Sequence, residues 1–162
     1  MNIALESPTQ AEVIRLIDEL DAYQKPLYPP ESHHGIDIEA LSQPNVLFAV
    51  VRDARGVAVG CGAIVLQPEF GEIKRMYVRP ENRGGGIAMA LLTRLEGEAI
   101  ARDCPRFVLE TGVSQPEALA LYGRAGYARC GPFGTYAEDP LSVFMQKDAA
   151  QPAGQNAATR SK

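Results

Sequence analysis

The chain has 162 residues, 46% hydrophobic and 22% charged, enough for one compact core and too few for two ordinary domains. A net charge of -4 and a pI near 5.2 exclude the dense basic face that nucleic-acid binding requires. No apolar run is long enough to cross a membrane, the start MNIALESPTQAE lacks the features of a signal peptide, and Cys61, Cys104 and Cys130 show no paired spacing; a cytoplasmic setting with neither disulfides nor a metal centre is expected.

Asn2 to Leu5 reads as a short strand, after which Ser7 and Pro8 open an amphipathic helix striped with Val13, Leu16, Ile17 and Leu20. Lys25 to Gly35, KPLYPPESHHG, breaks the periodicity with three prolines and a glycine and forms a loop before a short helical stretch around Ile36 to Leu41. Val46 to Arg52 and Val57 to Leu66 are β-rich runs on either side of a turn at Asp53 to Gly56, an antiparallel hairpin. The next strand, Gly71 to Arg79, stops at Pro80, which cannot donate to a ladder. Alternation along it places Glu72, Lys74, Met76 and Val78 on one face.

Three glycines follow, and then a helix from Ile87 to about Arg102 with Leu91, Leu92, Leu95 and Ile100 as its buried stripe. Arg106 to Glu110 reads as a strand, Gln115 to Arg124 as a helix, and Tyr127 to Cys130 and Leu141 to Gln146 as strands, which together make a mixed α/β (α+β) sheet. From Asp148 onward, DAAQPAGQNAATRSK has too little bulky apolar surface to offset the entropy of ordering. Residues 1–147 are therefore expected to form the domain and 148–162 a disordered tail.

The stretch from Glu72 to Leu92, EIKRMYVRPENRGGGIAMALL, carries the most chemistry. Gly84, Gly85 and Gly86 let the backbone approach a ligand with no Cβ in the way, and the open amides at the start of the following helix favour an anion such as phosphate. Arg79 and Arg83 can add charge there. The GK[ST] ending of a nucleoside-triphosphate loop is missing, which removes the kinase and ATPase readings. An NAD-type fingerprint fits at Gly84 and Gly86 but meets Met89 at its third glycine, and no early βαβ unit precedes it.

The pattern of Arg83, two residues, Gly86, one residue and Ala88, after the strand MYVRPENR, resembles the GNAT superfamily of N-acetyltransferases, and the match covers most of the chain. That resemblance implies a mixed, mostly antiparallel central sheet with a splayed strand pair and flanking helices, and acetyl-coenzyme A as co-substrate. It assigns the pyrophosphate to Arg83, Gly84, Gly85, Gly86, Ile87 and Ala88. The pantetheine arm falls to the strand backbone at Met76, Tyr77 and Val78. A second match, QPEALALYGRAGY from Gln115 to Tyr127, implies that Tyr122 protonates the departing thiolate, the two groups having comparable pKa values. Gln115 stands where the family often has asparagine, so its cofactor hydrogen bond departs from the family pattern.

Glu72 matches the position of a family glutamate that removes a proton from the acceptor amine, a step required because a protonated amine is not a nucleophile. Two loops are candidate walls of an acceptor pocket, one with Tyr28, His33 and His34 and the other with Phe133 and Tyr136. The two histidines lack a third ligand at metal spacing. The reading is an N-acetyltransferase acting by direct attack on a primary amine of a small molecule or amino-acid-like acceptor. Its alternatives are a protein N-terminal or lysine acetyltransferase and a non-catalytic coenzyme-A sensor; homodimers are common in the family.

Overall fold

The computed structural model describes residues 1–33 and 36–149. Its elements run β1 (Asn2–Leu5), α1 (Ala11–Gln24), α2 (Ile38–Leu41), β2 (Val46–Arg52), β3 (Ala58–Leu66), β4 (Gly71–Val78), α3 (Ile87–Ile100), β5 (Arg106–Gly112), α4 (Pro116–Arg124), β6 (Ala128–Cys130) and β7 (Ser142–Asp148). One seven-stranded sheet has the order β1-β2-β3-β4-β5-β7-β6, antiparallel throughout except between β4 and β5. This is the mixed, mostly antiparallel α/β sheet expected from the sequence. Strand β7 runs to Asp148, whose carboxylate pairs with Arg106, so the ladder extends one residue beyond the expected end of the domain. Residues 150–162 lie outside the described residues.

Helices cover both faces. On one side α3 and α4 bury Leu91, Leu92, Leu95, Ala99 and Tyr122 against Phe107, Leu109, Ile73 and Met145. On the other, α1 buries Val13, Leu16, Ile17 and Leu20 against Phe48, Val50, Cys61 and Tyr77. Fully burying one such aliphatic side chain is worth about 1.5–3 kcal/mol, so the two apolar layers are what hold the helices to the sheet. Ile100, expected in the α3 stripe, is exposed at the last residue of that helix; Ala99 takes the buried position, in step with Leu92 and Leu95.

Two irregularities of β4 shape the cleft. Only Gly71 to Ile73 pair with β5, opposite Phe107 to Leu109, and beyond Ile73 the two strands separate. That is the splayed pair. One turn of sequence later the register with β3 slips: Cys61 pairs with Tyr77 but Ala63 with Lys74, so Arg75 and Met76 together oppose Gly62. Arg75 sits at this bulge with φ of 57°, a left-handed conformation that costs a non-glycine residue about 1–2 kcal/mol.

The bulge reverses the alternation expected along the strand. Glu72 and Lys74 face the α1 side, whereas Met76 and Val78 face the α3 side, and Tyr77 turns its ring into the α1 cluster. The four residues expected on one face are therefore split between two. Strain at Arg75 is offset by its side chain, which ion-pairs with Asp21 of α1 at 2.6 Å and donates to the Ile36 carbonyl at 3.0 Å.

Candidate active site

A cavity of about 330 Å³ runs through the gap where β4 and β5 separate. From the α1 side it is lined by Lys25, Tyr28, Ser32, His33, Lys74 and Glu110; from the α4 side by Ile73, Met76, Thr111, Ala118 and Tyr122. The two helical layers thus each supply one wall, and a molecule on either face reaches the same gap. Among the described residues no group of three His, Cys, Asp or Glu side chains is gathered that could hold a metal ion.

At the far end of β4, Pro80 to Asn82 form a single 3-10 turn, and Gly84 and Gly86 take φ of 87° and 81°. These angles are why glycine is needed there: an L side chain pays a steric penalty at positive φ. Gly86 caps α3 with no side-chain hydrogen bond, and the amides of residues 84–89 have no protein acceptor among the described residues. A Cβ on Gly84, Gly85 or Gly86 would have nothing within 4 Å, so the loop faces open space. Unpaired amides, an open approach and the positive end of a helix fit the pyrophosphate of coenzyme A.

Arg83 braces this loop. Its Nε donates to the Val78 carbonyl at 2.8 Å, its guanidinium lies 5.8 Å from the Tyr77 ring centre, and Glu117 is 3.9 Å away. Arg79, by contrast, is bound to Glu19 of α1 at 3.0 Å, which offsets its charge; that guanidinium, helped by Tyr77, holds the Glu19 carboxyl below its usual range. Ile87 and Ala88 begin the helix as expected.

Tyr122 comes from α4 into the cavity wall and is buried, its ring packed edge-on to Tyr127 at 5.8 Å. Burial raises its phenol well above the ordinary value, so it keeps its proton throughout the neutral range. Tyr127 is held in turn by Glu96, whose Oε2 accepts its hydroxyl at 2.7 Å, while Lys147 binds Oε1 at 2.8 Å. This buried network fixes the ring against which Tyr122 rests.

Glu72 is buried just behind the α1-side wall. The Tyr136 hydroxyl donates to its Oε2 at 2.6 Å, Lys74 Nζ lies 3.3 Å from the same oxygen, and Lys74 also donates to Tyr136 at 2.8 Å. Tyr136 is locked edge-on between Phe133 at 5.2 Å and Phe144 at 5.4 Å, and Phe133 packs on Phe70 at 5.4 Å. Burial and the Glu72 carboxylate push the Tyr136 phenol up. The structure therefore unites Glu72 with Tyr136 and places Phe133 as support for that tyrosine; of the two expected wall residues, neither Phe133 nor Tyr136 lines the cavity, because they pack on each other and on Phe144 behind it.

The loop after α1 is strapped over the cavity from both sides. Tyr28 donates to Gln115 Oε1 at 3.1 Å and accepts from the Ser114 amide at 3.2 Å, Ser32 donates to Asp139 at 2.8 Å, and His33 Nε2 lies 2.9 Å from the Tyr28 carbonyl. Gln115, expected to meet the cofactor, lines the cavity and accepts the Tyr28 hydroxyl at its amide oxygen. Gly112 makes the strap sterically feasible, since a Cβ there would fall on the Tyr28 hydroxyl. His34 lies outside the described residues.

Sequence reasoning passed over Glu110 and Gly112. A lone carboxylate in the otherwise apolar run FVLE, and a glycine ending a strand, were the available signals.

A family model described as the acetyltransferase (GNAT) family matches residues 13–127. Over 149 residues the chain is 50% identical to a protein from Azospirillum brasilense named IAA acetyltransferase, with 91% of this chain and 97% of that one covered. A structure from Klebsiella pneumoniae described as an acyl-CoA N-acyltransferase matches with a TM-score of 0.79 and 43% identity, covering 92% of this chain and 97% of the other. The PaiA N-acetyltransferase of Thermoplasma acidophilum, solved with coenzyme A, matches with a TM-score of 0.68 over 91% of this chain and 99% of that one; at 15% identity this likeness is one of fold.

Proposed function

The chain belongs to the acetyltransferase (GNAT) family, and from that premise we propose that it acetylates a primary amine of a small-molecule or amino-acid-like acceptor by direct attack. Acetyl-coenzyme A is the co-substrate and supplies an activated acetyl thioester. The observation that carries the reading is the cavity through the splayed strands, with an open amide loop beyond one end of it and a carboxylate network against its other face.

The amides of residues 84–89 and the braced Arg83 hold the pyrophosphate, and the backbone of Met76 to Val78 guides the pantetheine arm toward the gap. Tyr122 and Met76 wall the gap on the α4 side, so the sulfur lies near a protonated phenol. The acceptor enters from the α1 side. Glu72 takes one proton of the ammonium through water at the wall, the amine nitrogen bonds to the acetyl carbon as the carbon–sulfur bond breaks, Tyr122 gives its proton to the sulfur, and the second proton lost by the nitrogen passes through water to restore the phenol. Lys74 and Tyr136 hold the Glu72 carboxylate in one orientation for this step.

Thermal-shift titration with acetyl-coenzyme A, with NAD and ATP as controls, tests the cofactor, and free-thiol release across primary amines tests the transfer. IAA, named for the Azospirillum relative, goes into the same panel. Expected outcomes are stabilisation by acetyl-coenzyme A alone and amine-dependent thiol release that falls in Glu72→Gln and Tyr122→Phe. Stabilisation with no turnover on any compound would replace this reading with a coenzyme-A sensor.

A further inference from the structure

Glu110 is the first residue of β5 beyond the β4–β5 ladder, whose last pair is Ile73 with Leu109. Its partner on β7 is Phe144, and the preceding pair, Leu109 with Met145, belongs to the α3-side core, so Glu110 faces the α1 side. Lys74 occupies the matching position on β4 and faces the same way. The two residues therefore flank the opening of the gap, one on each strand, and both line the cavity. Ser142 Oγ donates to Glu110 Oε2 at 2.8 Å and fixes the orientation of the carboxylate.

The acidic residues of the cavity wall are Asp21 and Glu110. Asp21 belongs to α1, and Glu72 is buried behind the wall. Among these carboxylates Glu110 is the one placed at the gap itself. After burial, its charge adds to what raises the phenols of Tyr28 and Tyr136.

A cation entering a confined cavity loses hydration and needs a counter-charge in place to receive it. We propose that Glu110 is the docking carboxylate of the acceptor, which binds as a primary ammonium with its nitrogen at the gap. This inference rests on the acetyl-transfer reading and deepens it by naming the charge state of the acceptor and the residue that recognises it. Docking on Glu110 sets the nitrogen beside Lys74, whose positive charge opposes a second cation and makes the bound ammonium easier to deprotonate. Binding and proton removal then fall to different carboxylates, Glu110 for the first and Glu72 for the second.

The test compares wild type, Glu110→Gln, Glu110→Asp and Glu72→Gln, each first shown to be stabilised normally by acetyl-coenzyme A. Coenzyme-A-loaded protein is titrated with a panel of primary amines and with their N-acetylated, uncharged counterparts, while melting temperature is followed; thiol release is measured in parallel with acetyl-coenzyme A. Amines, and not their acetylated forms, stabilise wild type. Glu110→Gln loses that stabilisation and raises the acceptor KM about 10- to 100-fold with kcat within about threefold, the size expected for one charge-assisted hydrogen bond. Glu110→Asp recovers part of it, and Glu72→Gln lowers kcat instead. Amine stabilisation that disappears in Glu110→Gln, with no thiol release in any variant, would uphold docking while refuting acetyl transfer. Turnover unaffected by Glu110→Gln, a loss in kcat alone, or no amine stabilisation of wild type would overturn the docking role.

Discussion

Replacing Gly112 by alanine should unfasten the loop after α1 from the rest of the cavity. A Cβ at this position falls on the Tyr28 hydroxyl and close to its ring, so the tyrosine must swing out. It then gives up its hydrogen bonds to Gln115 and Ser114. Two neutral hydrogen bonds are worth about 1–3 kcal/mol together, and partial loss of ring packing adds roughly another 1, for a total of about 2–4 kcal/mol. In a chain of this size that corresponds to a melting temperature lower by about 4–16 °C. Urea unfolding of wild type, Gly112→Ala, Tyr28→Ala and the double variant closes the cycle: in the Tyr28→Ala background the alanine at 112 should cost less than about 1 kcal/mol. Acceptor KM should rise in both single variants, with acetyl-coenzyme A binding retained. A Gly112→Ala protein within about 0.5 kcal/mol of wild type, or equal costs in both backgrounds, would refute the strap as the reason for the glycine.

The glycine loop separates stability from binding: Gly86→Ala should lower stability by about 1–2 kcal/mol because of its φ of 81°, whereas Gly85→Ala, with no positive φ and nothing within 4 Å, should leave the melting temperature unchanged and raise the KM for acetyl-coenzyme A. Tyr122→Phe should fold normally and reduce kcat on the order of 100-fold, read by single-turnover thiol release. Tyr122, Tyr127 and Tyr136 all have phenols raised above the ordinary 10.0, chiefly by burial. Their contribution to stability is complete below pH 10 and is lost as the pH rises from there, so urea midpoints should hold between pH 8 and 9.5 and fall above pH 10, less steeply in Tyr136→Phe. Glu96→Ala, which strands Lys147 and the Tyr127 hydroxyl, should cost about 3 kcal/mol in the same assay.

The loop from Arg83 to Ala88 was legible because its cause is local: glycines at positive φ, a helix start and a proline stop are all written in consecutive residues. The strands and their order of appearance were legible for the same reason, since alternation and turn residues lie within a few positions of one another. What escaped depends on partners far along the chain. Nothing in KRMYV announces a bulge, because arginine has no preference for left-handed backbone; the conformation is held by Asp21 and Ile36, which belong to other elements. The bond from Tyr28 to Gln115 joins residues 87 positions apart, which no local pattern relates. Glu110 looked like a strand residue because the place where β4 leaves β5 cannot be read from either strand alone.

The reversal at Arg75 has a consequence for how such a protein can change. Upstream of the bulge Glu72 and Lys74 face the α1 side, and downstream of it Met76 and Val78 face the α3 side, so on the proposed reading one strand addresses two molecules from opposite sides of the sheet. On that reading, substitutions at residues 72 and 74 act on the acceptor side of the sheet and changes at 76 and 78 on the donor side. Deleting Arg75 would leave Met76 alone opposite Gly62 and every other residue of the strand on its present face, and would remove the anchor to Asp21 and the Ile36 carbonyl.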